Sequence, residues 1–400
     1  MKVLLAHDYY RSAAPSGEDA VFRNERALLE DHGIEVVVYE RFNDDIDDST
    51  VAARVRLALD AAWSRRTYEE LSAIIRDRRP QLAHFHNTFP VISPSAYAAC
   101  QDNGVAVVQT LHNYRLICPG ALLVRDGHPC EDCVGTSLRP ALRHRCYRGS
   151  LSATGAVVWM LARNRGRGVY RTLVNRYIAM TGFAARKLVA GGLPSSRIQV
   201  KPNFLAKAPE PGTGEGQYAI YVGRLSDEKG IRTLVAAWEH VKGLHLKIAG
   251  DGPLRRELED HSRRKALPIQ FLGFVPQAQV LDLVGRAEMQ IVPSECYEGF
   301  PMAVLEAYAC GTPVVASRIG SLEEIVLDGQ SGVTFQAANP SDLAQKVAAL
   351  HTDPPRLRTM RVASRALFDE KYTADRNYAL LMDIYGGALQ DFQAAKGEQQ

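Results

Sequence analysis

The chain has 400 residues, of which 46% are hydrophobic and 23% charged, with a formal net charge of +3. That length exceeds one typical core and fits two domains of ordinary size, and the composition is that of a globular protein. No run of about 18 apolar residues is present, which excludes a spanning helix. The opening MKVLLAHDYY reaches His7 and Asp8 before any apolar stretch long enough for a signal peptide, so the expected location is the cytoplasm, with reduced cysteines.

In chain order, residues 3–6, 36–39, 82–85, 105–109 and 177–180 read as buried strands, and residues 20–31, 51–78 and 94–102 carry helical spacing. The polar, Pro/Gly-rich KAPEPGTGEGQ at 207–217 reads as a linker. The alternation then restarts. Residues 218–222, 244–249, 269–272, 289–292 and 313–316 are predicted strands, with helices over 231–241, 254–265, 280–285 and 301–310. Strands alternating with helices predict an α/β fold with parallel sheets. The expected division is 1–206, with a Cys-containing insertion at 113–150, then 207–375, then a C-terminal helix and frayed tail at 376–400.

Three segments at strand-to-helix junctions carry chemistry. In YEGFPMAVLEAYACG (297–311), Pro301 suits the first helical position and Gly311 the left-handed stop. Glu298 lies in the loop before the helix and Glu306 inside it. Helical side chains lean toward the N-terminus, so Glu306 reaches the space that Glu298 and the amides of Gly299 and Phe300 enter. Carboxylates that accept beside amides that donate suit a polyhydroxylated, phosphorylated ligand. In GRLSDEKG (223–230), Gly223 permits close approach of backbone, and Arg224 and Lys229 bracket the turn as a diphosphate clamp would. GDGP (250–253) places Gly250 and Gly252 at the next junction.

In this order and spacing, the three segments resemble the C-terminal domain of the retaining glycosyltransferases of family 4, also called glycosyl transferases group 1, in bacterial polysaccharide synthesis. The resemblance implies the GT-B fold, two facing Rossmann-like domains with a cleft between them. It implies that Arg224 and Lys229 hold a donor diphosphate and that Glu306 binds the nucleotide ribose. Glu298, with the amides of Gly299 and Phe300, would read the donor sugar. In the N-terminal half, Gly17 within PSGEDAV (15–21) resembles the family's glycine-bearing loop near the diphosphate. His112, at the end of a strand, resembles its active-site histidine. Asn203 in KPNFL resembles its interdomain segment. His84, His86 and Asn87 follow another strand, and at least one of them is expected to face the cleft.

Two further clusters compete for attention. Asp45-Ile46-Asp47 has the form of a metal-binding D-x-D but lies in the acidic run NDDIDD with no strand after it, and reads as solvated loop. Cys118, Cys130, Cys133 and Cys146 lie within 29 residues, which suits a structural zinc site that shapes the acceptor domain.

Charge is distributed unevenly. Residues 1–200 hold 26 basic and 20 acidic side chains, and 133–209 hold 14 basic and no acidic ones. Such a field attracts polyanions. Within it, 151–177 mixes Trp159 and aliphatic residues with Arg163, Arg165, Arg167, Arg171 and Arg176, as an interfacial segment at an anionic membrane does. No nucleic-acid motif is present.

The reading is a retaining hexosyltransferase that takes a UDP- or GDP-sugar and a glycan or polyprenyl-diphosphate-linked acceptor. It would work in the cytoplasm, docked at the inner face of the plasma membrane, in cell-surface glycan synthesis. Protein charges stabilise the leaving group, so no catalytic cofactor is expected. The rivals are a nucleotide-sugar epimerase on the same fold and a non-enzymatic polyanion-binding module.

Overall fold

The structure is a computed structural model that describes residues 1–12 and 17–397. By internal contacts the chain divides into two compact units. One comprises Met1–Leu122, Glu131–Pro202 and the chain from Asn377 onward; the other comprises Leu123–Cys130 and Asn203–Arg376.

The first unit is built on strands β1 (Lys2–Tyr9), β2 (Glu35–Phe42), β3 (Leu82–Phe85) and β4 (Ala106–Leu111). Past the hairpin β5 (Val124–Arg125) and β6 (His128–Pro129), which groups with the second unit, come β7 (Arg176–Ala179) and β8 (Ile198–Val200). The sheet order is β2-β1-β3-β4-β7-β8, every pair parallel. Its helices are α1 (Gly17–Asp31), α2 (Val51–Ala62), α3 (Arg65–Arg78), α4 (Ser95–Asp102), α5 (Arg139–His144), α6 (Leu151–Gly166), α7 (Val169–Thr172) and α8 (Gly182–Ala190).

The continuous apolar runs of β3 and β4 are buried throughout, as strands covered on both faces must be. The helix predicted over 51–78 is two helices. Ser64 ends the first by capping the second: its hydroxyl accepts from the Thr67 amide, and its own amide donates to Ser93 Oγ at 2.9 Å. The short edge strand β8 lay outside the predicted set, because three residues carry too little periodicity to register.

The second unit holds β9 (Tyr218–Val222), β10 (His245–Ala249), β11 (Ile269–Gly273), β12 (Met289–Val292), β13 (Val314–Ser317) and β14 (Gly332–Phe335), in the order β11-β10-β9-β12-β13-β14, again all parallel. Its helices are α9 (Ile231–Ala237), α10 (Arg255–Arg264), α11 (Gln277–Arg286), α12 (Met302–Ala309), α13 (Ser321–Ile325), α14 (Pro340–His351) and α15 (Pro354–Lys371). Trp238, Leu246, Ile248, Ile291, Phe335 and Val347 fill its core.

The segment read as a linker is strapped to this unit. The amides of Gly212, Gly214 and Gly216 donate to the carbonyls of Cys310, Gly285 and Arg286 at 2.9, 3.1 and 2.8 Å. A side chain on Gly212 would overlap the Gly285 backbone. The glycines that suggested flexibility are there for close approach.

The last helix, α16 (Ala374–Gly397), returns to the first unit. Its Leu381, Ile384, Tyr385 and Ala388 pack with Val3, Leu29, Leu82, Val108 and Ile178. Among the described residues, no helix is long and apolar enough to cross a membrane.

Candidate functional site

Ligands of open parallel sheets bind beyond the carboxyl ends of the strands, where the strand order reverses. In the second unit that reversal falls between β9 and β12. The three motif loops, 223–230, 250–253 and 293–301, leave β9, β10 and β12 at this end.

The first two loops lock together. The Gly223 amide donates to the Ala249 carbonyl and the Leu225 amide to the Asp251 carbonyl, at 3.0 and 2.9 Å. Gly250 has φ +147°, and a Cβ there would overlap the Gly223 carbonyl oxygen. Gly252 lies against the Leu225 backbone with equally little room. Gly230, at φ +65°, lies against the Pro293 carbonyl oxygen and so joins the first loop to the third. The glycines thus act on each other's backbones and bring the loops within reach of one another.

Lys229 lies in a 3-10 turn, Asp227–Lys229, and its Nζ donates to Glu298 Oε1 at 2.7 Å. Ser294 Oγ donates to the same oxygen at 2.7 Å, and Ser321 Oγ donates to the Glu298 carbonyl at 2.5 Å. Burial raises the Glu298 carboxyl, but the Lys229 ammonium and these hydrogen bonds outweigh it and hold it below its ordinary value. Burial works against the ammonium too, and Glu298 more than offsets it, so Lys229 is held above its ordinary value. Arg224 is exposed, and its carbonyl accepts from the Tyr221 hydroxyl at 2.7 Å, which fixes the backbone while the guanidinium extends outward.

Glu306 is in the first two turns of α12, 8% exposed, with Gln277 Nε2 donating to it at 3.2 Å. With no cation beside it, burial pushes its carboxyl up to about 7. The two glutamates therefore differ: one is a fixed anion, the other is poised near neutrality. The ring of Phe300 packs on Tyr372 at 5.5 Å between centroids, and Asn203 Nδ2 donates to the Phe300 carbonyl at 3.5 Å.

In the first unit the order reverses between β1 and β3, and histidines cluster at that end. His7 ends up 2.8 Å from Asp19, and its Nδ1 accepts from the Asn87 amide at 3.3 Å. Glu25 on α1 is fully buried. Its Oε1 lies 3.0 Å from both His84 Nδ1 and His86 Nε2, and its Oε2 accepts from Lys201 Nζ at 2.8 Å. Lys201 also donates to Asn377 Oδ1 at 2.9 Å, and His84 Nδ1 lies 2.8 Å from the Tyr385 hydroxyl. His86 Nδ1 faces His112 Nε2 at 2.9 Å. His112 lines a cavity of about 40 Å³ with Glu18, Asn87, Asn113 and Arg115.

Burial alone would raise the Glu25 carboxyl. Lys201, His84 and His86 overcome that and hold it well below the usual carboxylate range. Burial drives His86 down to about 4 and His112 well below the ordinary imidazole value. Both are therefore neutral at pH 7.

The ligand atoms of Glu25, His84 and His86 lie within 4.8 Å of one another, the spacing of a metal site. The donor set is already filled: Lys201 occupies the second carboxylate oxygen inside a closed interior. A divalent cation there would meet that ammonium.

Several sequence expectations change. Among the described residues, the group just described is the one set of three or more such side chains close enough to share an ion, and the four cysteines are free thiols. Cys118 and Cys146 both approach Gly120, while Cys130 belongs by its contacts to the second unit and Cys133 to the first. Pro15 and Ser16 lie outside the described residues. Gly17 already begins α1 and is exposed, so 17–21 is helix rather than a glycine loop. Arg165 donates to the Leu116 carbonyl at 2.7 Å, and Val157, Met160, Leu161 and Val169 are core, so only part of 151–177 faces solvent. Asp45 closes a 3-10 turn, Asn43–Asp45, and Asp47 is bound to Ser49.

Sequence reasoning missed Glu25, Lys201, Asn377 and Tyr385. They come from helices and a strand end up to 301 residues from their partners, so no local spacing marks them.

The two parallel α/β sheets, with glycine-locked loops beyond their strand ends, define the fold class, and the comparisons give the family. The family described as "Glycosyltransferase Family 4" matches residues 19–206, and "Glycosyl transferases group 1" matches 216–353. The chain belongs to this family, and its fold is GT-B. It is 32% identical over 226 residues to a glycogen synthase of Mycobacterium tuberculosis, 55% of this chain and 51% of that one. It is 36% identical over 174 residues to a GDP-mannose-dependent alpha-(1-6)-phosphatidylinositol dimannoside mannosyltransferase of the same species, 42% and 43% of the two chains. The chain thus spans about half the length of the curated relatives it matches. Among solved structures, Anabaena HepE in complex with UDP superposes with TM-score 0.68 at 17% identity, over 96% of this chain and 100% of that one. The lipopolysaccharide outer core galactosyltransferase WaaB gives 0.65 at 16%, over 96% and 99%.

Proposed function

We propose that this chain is a retaining glycosyltransferase that transfers a sugar from a UDP- or GDP-sugar to a glycan or a polyprenyl-diphosphate-linked acceptor in cell-surface glycan synthesis. The observation that carries the reading is the Lys229–Glu298 pair at 2.7 Å, held by glycine-locked loops beside the buried, cation-free Glu306. Glu306 accepts the ribose hydroxyls. Glu298 and the amides of Gly299 and Phe300 read the sugar. Lys229, partly exposed, and Arg224, exposed, take up the diphosphate charge that grows as the glycosidic bond breaks. His112 in the first unit meets the hydroxyls at the reacting sugar. Fixed protein cations do what a metal does in other glycosyltransferases. That the Anabaena relative was crystallised with UDP and UDP-glucose, and that a mycobacterial relative is named for GDP-mannose and a phosphatidylinositol acceptor, supports both the donor class and a lipid-linked acceptor.

The acceptor side draws support from the α2–α6 face of the first unit. Val51, Val55, Leu59, Leu151 and Trp159 are exposed there beside Arg54, Arg148 and Arg167. A groove of about 690 Å³ runs along it. Val51, Val55, Arg54 and Arg148 line it, with Arg11 paired to Asp48, and this mix of apolar and mostly basic side chains suits a lipid-linked, anionic acceptor at a membrane surface.

The test is incubation with a panel of nucleotide sugars carrying 13C at the anomeric carbon. A transferase releases nucleoside diphosphate and gives a glycoside, or slowly the free sugar, with the donor's anomeric configuration. Conversion of one nucleotide sugar into its epimer would assign the epimerase instead. Retention on a polyanion without turnover would assign a binding module.

A further inference from the structure

The buried carboxylate of Glu25 touches no candidate substrate position, yet it connects through one imidazole to His112. We propose that Glu25 and His86 are positioning residues that fix the tautomer of His112, so that His112 keeps its proton on Nε2 and presents a bare Nδ1 as an acceptor for a sugar hydroxyl. The inference rests on the reading of His112 as a residue of the transfer site.

Glu25 is ionised and fully buried, held so by Lys201 at 2.8 Å. A carboxylate oxygen only accepts, so the nitrogen of His86 that faces it at 3.0 Å must carry the hydrogen. That nitrogen is Nε2. His86 is neutral, because burial outweighs the nearby carboxylate, and so it has one hydrogen to give. Its Nδ1 is then a lone pair. This lone pair stands 2.9 Å from His112 Nε2, and two ring nitrogens at that distance share one hydrogen. The hydrogen must come from His112. His112 is also neutral, so its remaining nitrogen, Nδ1, carries none. Each imidazole has only one arrangement that satisfies its neighbour, and the choice propagates from the carboxylate to the cavity. The ring of His112 also lies nearly parallel to His86, 5.1 Å between centroids with 25° between planes, which limits its rotation.

Chemically, a bare Nδ1 accepts a hydrogen bond from a hydroxyl and takes up its proton if the reaction demands it; the opposite tautomer would only donate. The polarity of the histidine is thus set two residues away, by a group that never meets the substrate. The other buried anion in the cluster does the same for His7: Asp19 accepts at Nε2, leaving Nδ1 to accept from the Asn87 amide.

The experiment uses the full chain labelled with 15N in histidine and a long-range proton–nitrogen correlation, with the His112 signals assigned from His112→Gln. In the wild type at pH 7, His112 should show a protonated Nε2 and a bare Nδ1. In His86→Leu the acceptor is gone, so His112 should move to a mixture of tautomers, and kcat/KM should fall by roughly 10–100-fold, as when an outer-shell orienting partner is removed. In His86→Asn the amide oxygen stands near the lost Nδ1, and the His112 signature and most of the activity should return. A proton on His112 Nδ1 in the wild type would overturn the proposal, and so would an unchanged signature in His86→Leu. If His86→Leu does not fold, the wild-type spectrum alone decides. Full turnover by His112→Ala, with the tautomer as expected, would remove His112 from the transfer site and leave the Glu25–His86–His112 chain standing.

Discussion

At the residue scale, two glutamates eight positions apart have been given opposite electrostatic environments. Glu298 shares its oxygen with Lys229 and Ser294 and stays charged; Glu306 has only Gln277 and is pushed up to about 7. In the proposed function a ribose hydroxyl donates to the ionised form of Glu306, so donor affinity should follow its deprotonation. Lowering the pH from 8 to 6 crosses that midpoint and should weaken donor binding about tenfold, read by calorimetry. Glu306→Gln should weaken binding at pH 8 and flatten the dependence. Its stability should move the other way. A carboxyl raised above its ordinary value favours the fold fully below pH 4.5, and that contribution is lost as pH rises through 7. Replacing it by a neutral amide therefore removes a cost at pH 8, and the midpoint of thermal unfolding should rise there. An affinity loss paired with a stability gain is the mark of a group kept for function.

At the element scale, the site is made by loops whose backbones touch, and glycine is what allows it. Gly230 combines φ +65° with a carbonyl oxygen where a Cβ would be. Gly230→Ala should cost at least about 2 kcal/mol, because positive φ and steric overlap add, and the loss should appear as an earlier denaturant midpoint. This is also where the sequence was most legible. The strands flanking each motif and the helix starting near Pro301 are visible because apolar runs, a proline and a glycine each have a local physical cause. Edge strand β8 was invisible because three residues carry little pattern. The Glu25 cluster was invisible for a different reason: its parts meet only when α1, β3, β4, β8 and α16 are assembled. Glu25 sits in RNERALLED, where its charge looks like ordinary helix surface.

At the scale of the whole molecule, neither unit is a continuous stretch of chain. The last helix supplies Asn377 to Lys201 and Tyr385 to His84, so the first unit's buried network is complete only when the chain has passed through the second. The charge is uneven on the same scale, with the basic excess in the first unit. The α2–α6 face should dock reversibly to anionic vesicles, with roughly 1 kcal/mol for each basic side chain near the surface. Binding should fall with salt, should be weak on neutral vesicles, and should be lost in Arg54→Glu/Arg148→Glu/Arg167→Glu, which leaves the structural Arg165 in place. Equal partition onto both kinds of vesicle would refute the docking. The central claim is that fixed cations of the second unit stabilise the departing nucleoside diphosphate. Its most direct measurement is the rate of nucleoside diphosphate release from the preferred donor by Arg224→Ala/Lys229→Ala, with folding checked by circular dichroism. The account predicts a loss of at least about 100-fold in kcat, the scale of removing preorganised charge from a transition state; a folded double variant turning over at the wild-type rate would contradict it.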